Sequence, residues 1–464
     1  MSFDRKRAIE QQLVQGSRKH GKVENQCGTL VLCFELLQEP RSSYVFEFFP
    51  IHDLLWNHHL HTPPDDDENM LLDDGSREKP IQTLHWGPPP KREDSSSSQI
   101  DLPYNCMSFL HTSSYDSSGG VLYAVGGLTP DDAFKASNYI EDQPFSLPTE
   151  LTRISLLSGG DTVSLSKEDR KLSPMKSGKF QPLIEEIGGL IYVLSGYPPP
   201  LIKKPSASPE AQEGKEFFWF EVYDPRKDTW EQLEDPPFAN SVGSVYSSPF
   251  FKVGKYRHLV VGNRLHVSDG MFACVYDTVT REWKASNLFT QRYLDKKVRG
   301  YPSRLNKWDF YTLCGWGGEN CGLGFPFQGQ PILLDEREKI YLCVKTVCKQ
   351  GKPPLAAFQI LGDSIDTEKA VRFPLVLTTL GLPYGYPRSL VHLGQDIFAL
   401  LLIEAQEDWT EFYGTLVTFK LEFQFDYGVD GISTPCGLLA THLRVCYRKP
   451  IEANDVNPAY CFRM

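Results

Sequence analysis

The sequence predicts an all-β fold, a β-propeller of six (or seven) four-stranded antiparallel blades, and three observations predict it. Short, nearly continuous apolar strands recur at TLVLCFELL (29–37), VLYAVGG (121–127), LIYVLSG (190–196), HLVVGN (258–263), KIYLCVK (339–345) and DIFALLL (396–402). Two stretches share one hairpin: FEVYDPRKDTWEQL (220–233) and FACVYDTVTREWKAS (272–286) both place Trp seven residues after Tyr. Helical periodicity is scarce, its best instance being residues 6–16, where Ile9 and Leu13 lie four apart.

Each element has a physical reason. Strands that do not alternate apolar with polar must be covered on both faces, and small sheets stacked face to face around an axis meet that demand. Before most of these strands lies another that ends in a polar turn, as in MSFLHTSSYDSSGG, FQPLIEEIGG, SVYSSPFFKVGKYR, PILLDERE and SLVHLGQ, so each pair reads as a hairpin. The outer pair is the repeated hairpin, in which Val222, Tyr223, Asp224 and Trp230 correspond to Val275, Tyr276, Asp277 and Trp283. Its aromatics are expected to pack between sheets, with Gly126, Gly127 and Gly196 closing their strands. Two hairpins make four strands per unit. The spacing of the units is long for a repeat and implies insertions in several copies.

The expected organisation is an N-terminal basic tail or short helix (1–27), one propeller domain (28–450) and a C-terminal tail (451–464). Loop insertions are expected at 61–99 and 197–216, where Pro, Ser and charge cannot supply core.

Composition narrows the function. Hydrophobic residues make up 41% and aromatics 12%, enough for a large core. The formal charge of −11 supplies no positive field for nucleic acid, which argues against it as the main partner. The longest apolar run, Ile397–Ile403, is far short of a membrane span, and no membrane partner is expected. The polar start of the chain lacks a signal-peptide core, and the eleven cysteines include no CxxC pair, so the expectation is a cytoplasmic protein. The basic residues Arg5, Lys6, Arg7, Arg18, Lys19 and Lys22 keep a nuclear location open.

An apolar strand closing on glycines, then Tyr, then Trp seven residues later, resembles the kelch repeat. The resemblance is strong around Tyr223/Trp230 and Tyr276/Trp283, partial after Gly127, and weak in the last two units, which lack the Gly pair and the Trp. VYDTVTREW and the LVHLG strand (Leu390 to Gly394) resemble plant kelch-type propellers with degenerate repeats. The resemblance covers residues 28–450 and implies a fold rather than an activity. Some plant kelch proteins carry an F-box, for which the residues before the first strand are too few. The nearest enzymes of the superfamily, the copper radical oxidases, are secreted, and no motif here aligns with their Tyr, Cys-linked Tyr and two His.

Candidate chemistry is thin. His52, His58, His59 and His61 adjoin acids at 65–68, but the Pro/Asp-rich surroundings lack the rigidity of a metal site. Glycines 315, 317, 318, 322, 324 and 329 match neither GxGxxG nor a P-loop, and Trp308, Phe310, Tyr311 and Trp316 read as packing residues. No GxSxG is present. The expectation is therefore a non-catalytic scaffold binding protein partners through loops, with no cofactor, metal or catalytic residue. The alternative is a small-molecule-binding or metal-dependent propeller enzyme with its site at the channel mouth. Convergence of three or more His, Asp or Glu side chains in the channel would favour that alternative.

Overall fold

The computed structural model describes residues 29–38, 41–51, 54, 82–86, 107–112, 120–129, 147–159, 162–167, 172–196, 218–237, 257–268, 273–285, 327–336, 339–345, 355–360, 371–379, 386–394, 396–405, 412–427, 433–451 and 456–463. The tail and helix expected within 1–27, the histidine cluster, the insertion at 197–216, most of 61–99, and the aromatic and glycine stretch from Trp308 to Gly324 lie outside them.

The first sheet holds β1 (Thr29–Gln38), β2 (Arg41–Pro50) and β3 (Gln82–Trp86). The second runs in chain order through β4 (Ser108–Thr112), β5 (Val121–Val125), β6 (Leu151–Gly159) and β7 (Thr162–Lys167). The third holds β8 (Leu183–Ile187), β9 (Leu190–Leu194), β10 (Phe220–Asp224) and β11 (Thr229–Gln232). The fourth holds β12 (Arg257–Val261), β13 (Arg264–Ser268), β14 (Ala273–Asp277) and β15 (Glu282–Ala285). Two further antiparallel runs follow. They are β16 (Phe327–Asp335), β17 (Ile340–Lys345), β18 (Leu355–Ile360) and β19 (Val371–Thr379), then β20 (Tyr386–Gly394), β21 (Ile397–Ala405), β22 (Phe412–Tyr427) and β23 (Ser433–Ile451). The last strand, β24 (Val456–Arg463), returns to pair antiparallel with β1.

Continuous apolar strands are buried on both faces, as that pattern requires. In β21, Ile397, Ala399, Leu401 and Ile403 pack with Leu30, Leu32 and Phe49, whereas Phe398, Leu400 and Leu402 pack with Ile340, Leu342 and Val344. The third sheet divides in the same way. Ile191, Val193 and Tyr223 face Val121, Tyr123 and Val125, while Tyr192, Leu194, Phe220 and Val222 face Leu265, Val267 and Tyr276. The core is thus a set of layers between sheets, and the arrangement is an antiparallel β-propeller. Its innermost strands are neighbours: β4 lies beside β8, β12 beside β16, β16 beside β20, β20 beside β24 and β24 beside β4. Between β8 and β12, Glu185 Oε1 and His258 Nε2 meet at 2.6 Å.

Four expectations change. Among the described residues hydrogen bonding yields five sheets where six or seven blades were expected, because β19 joins two runs into one sheet of eight strands. Its first residues pair with β18, but Val376–Thr379 run parallel to Gly437–Ala440 of β23. The crossing follows a register shift and Pro374, which has no N–H to hold the ladder and favours such a bend. The tail expected at 451–464 contains β24, whose pairing with β1 satisfies a strand edge otherwise left open. The insertion at 61–99 contains β3, which pairs with β2 from Tyr44–Trp86 to Phe48–Gln82. In the fourth sheet HLVV belongs to the first strand rather than the second, since Gly262 and Asn263 turn the chain straight into RLHVS. A glycine closing a strand and a glycine opening a hairpin look alike in sequence, and only the pairing separates them.

Candidate functional site

Strand direction alternates within each sheet, so the connections divide between two ends. Connections from second to third strand, and from one sheet to the next, leave at one end: 126–150, 195–219, 233–256 and 286–326. The opposite end carries tight turns at 188–189, 225–228, 262–263 and 278–281, with 51–81 as its long exception. The candidate functional face is the end with the long connections. Its described part is built from Gly126–Leu128, Leu147–Thr149, Met175–Pro182, Ser195, Gly196 and Phe218–Trp219.

A buried ion pair holds that end together. Lys179 and Glu221 are both fully buried, and Lys179 Nζ donates to Glu221 Oε2 at 2.5 Å, to Phe218 O at 2.5 Å and to Ser177 O at 3.0 Å. Glu221 also accepts from the Lys176 amide at 2.8 Å, and Ser177 Oγ donates to Phe218 O at 2.8 Å. Burial pulls the Lys179 ammonium below its ordinary pKa while Glu221 opposes the shift. Removing one partner leaves an uncompensated buried charge, so the pair fixes the connection before β8 to the start of β10. Two predicted glycines lie beneath this connection. A Cβ on Gly126 would stand 2.8 Å from Lys179 O, and one on Gly196 would stand 2.1 Å from Gln181 O. Gly127 N donates to Lys179 O at 3.1 Å, and Gly196 N to Phe180 O at 3.0 Å.

The repeated hairpin sits toward the other end. Tyr223 and Tyr276 are buried between sheets, each about 5 Å from its tryptophan, at 4.9 Å from Trp230 and 5.1 Å from Trp283. Both tryptophans are half-buried, and each indole donates to the strand-connecting segment that arrives from the preceding sheet. Trp230 Nε1 reaches Ser173 O at 2.7 Å, and Trp283 Nε1 reaches Glu234 O at 2.8 Å. Asp224 and Asp277 cap the hairpin turns, accepting from Arg226 N at 3.0 Å and from Val279 N at 3.0 Å and Thr280 N at 3.1 Å. The Thr280 amide, with the Val279 amide and Arg264, holds Asp277 below the usual carboxylate range. These contacts tie each hairpin to its own turn and to the segment arriving from the preceding sheet.

The innermost strands bring few titratable groups together. His111 lies on β4, Glu185 and Glu186 on β8, His258 on β12 and His392 on β20, and of these Glu185 and His258 meet. Burial lowers the His111 pKa to about 4 and raises that of Glu186. Among the described residues no three His, Cys, Asp or Glu side chains stand close enough to hold a metal ion. No helix among them is long and apolar enough to cross a membrane.

Sequence reasoning passed over Lys179, Glu221 and Asp228. Asp228 Oδ1 accepts from Tyr223 OH and from Ser173 N, each at 2.9 Å. A lysine four residues before an apolar strand and an acid inside one were the available signals, and neither announces its partner about forty residues away.

No family model matches the chain. A kelch repeat-containing protein of Arabidopsis thaliana is 30% identical over 118 residues, 25% of this chain and 23% of that protein, so the match spans under a quarter of the relative's length. Among solved structures, the N-terminal domain of Nup159 is similar with a TM-score of 0.25 and 10% identity, over 68% of this chain and 67% of that one. The strands described above form a β-propeller arrangement, and the chain is similar to a kelch-repeat protein over a quarter of its length.

Proposed function

We propose that the protein is a non-catalytic protein-interaction scaffold of the cytoplasm, or of the nucleus, built on a six-bladed kelch-type propeller. The eight-stranded sheet counts as two blades in this reading, since β16–β19 and β20–β23 are each a complete antiparallel run and each contributes one innermost strand. The observation that carries the function is the asymmetry between the two ends. The frame is stapled by tryptophans and a buried ion pair, and four long connections, 126–150, 195–219, 233–256 and 286–326, leave from one end against 51–81 at the other; loops on a rigid frame are natural recognition sites. Similarity to a kelch-repeat protein supports the reading.

The test compares partners captured by proximity labelling in cells. Residues 197–216 are replaced by a short Gly/Ser linker in one variant, and Thr280→Glu marks the opposite end in another. Neighbours lost with the first and kept with the second support the proposal. Neighbours that survive the loop replacement and vanish with Thr280→Glu overturn it.

A further inference from the structure

The β22–β23 hairpin outgrows its sheet. Pairing of β21 with β22 stops at Ile397–Lys420, and the last link on that side is Leu421 N donating to Asp396 O at 2.9 Å. Beyond it, β22 continues to Tyr427 and stays paired with β23 from Leu421–Ala440 to Tyr427–Ser433. At ~3.3 Å per residue the overhang is about 20 Å long. The outer edge of β23 is covered by β19 at Gly437–Ala440. The inner edge of β22 pairs with no strand beyond Lys420 among the described residues. A strand with one edge satisfied and the other open is a template for another strand.

The overhang also states what would fit. From Leu421 to Tyr427 the chain reads LEFQFDY, apolar and polar in alternation, with Glu422 and Asp426 as its charges and no Lys or Arg. The facing stretch Ser433–Leu439 carries no charge at all. Glu422 is exposed and pairs with Lys420 at 3.0 Å, an exposed contact that an incoming cation can replace.

The geometry points to a β-augmentation site: the edge of β22 from Glu422 to Tyr427 takes an extended segment of a partner protein in which basic and apolar residues alternate. Main-chain hydrogen bonds supply the binding, and the acids select the basic partner. The site lies at the turn-rich end, so its failure leaves the loop-face proposal standing.

The probe is a labelled ten-residue peptide of alternating Lys and Val, followed by fluorescence anisotropy on the full chain. Expected are saturable binding, a loss of at least tenfold on N-methylating alternate peptide amides, and a similar loss in the Glu422→Lys/Asp426→Lys variant. Lys420→Ala frees Glu422 and should tighten binding several-fold, a gain that misfolding cannot mimic. No binding to the wild-type chain, equal binding of the N-methylated peptide, or indifference to charge reversal would each overturn the assignment. Concentration-dependent dimers abolished by the same charge reversal would give the edge to a second copy of this chain and overturn it too.

Discussion

Tyr223 and Tyr276 occupy the same place in the repeat and are both buried, yet their hydroxyls differ. Tyr223 OH donates to Asp228, whereas the matching position in the next unit is Arg281, which turns to Glu231 of the neighbouring sheet. Tyr276 OH finds no hydrogen-bond partner among the described residues, and its pKa is raised to about 12, first by burial and then by Tyr192. Tyr223→Phe should therefore cost about 1 kcal/mol, while Tyr276→Phe should be neutral or stabilising, because removing an unsatisfied buried hydroxyl removes a desolvation cost. Urea midpoints of the two variants check the contrast. Trp230 is half-buried, so Trp230→Ala should lose about 2–3 kcal/mol, and Trp230→Phe, which keeps the ring contact and drops the bond to Ser173, about 1 kcal/mol.

His266 gives the residue scale its pH dependence. It is fully buried on β13, and burial, with Arg264 adding to it, lowers its pKa to about 3. The unfolded chain binds a proton near pH 6.5 that the folded chain refuses, so the stability contributed is whole above pH 6.5 and falls as pH drops toward 3. His111 acts in the same direction, with a pKa of about 4. Urea midpoints measured from pH 7 to 4.5 should fall on acidification, with a shallower slope in His266→Leu.

Among the elements, glycines separate crowding from freedom. Gly196→Ala drives a methyl into the Gln181 carbonyl, and overpacking of this kind costs about 1–3 kcal/mol. Gly126 adds a φ of 75° to a similar collision and should cost at least as much. Gly188, in the β8–β9 turn, meets nothing within 4 Å, so only its φ of 64° resists substitution and Gly188→Ala should cost less. Thermal unfolding of the three variants orders them. The strands with unbroken apolar runs, Leu190–Leu194 and Ile397–Ile403, were legible because two-sided burial leaves a direct mark on composition. Gln82–Trp86 was not, since an outer strand inside a Pro- and charge-rich stretch carries too little apolar signal to stand out.

At the scale of the molecule, closure depends on β24. Deleting Val456–Arg463 should open the edge of β1, remove the neighbour of β20 and β4, and lower Tm with aggregation through the exposed edge. Light scattering beside calorimetry reads both effects. By itself the sequence determined that the fold is all-β, that its unbroken apolar strands are covered on both faces, and which hairpin repeats, since these are properties of local pattern and of Tyr-to-Trp spacing. Only the tertiary structure decided that the last strand pairs with the first, that Pro374 lets β19 cross between two runs, and that Lys179 meets Glu221. Those contacts join residues far apart in the chain, and neither partner carries a local signature of the other.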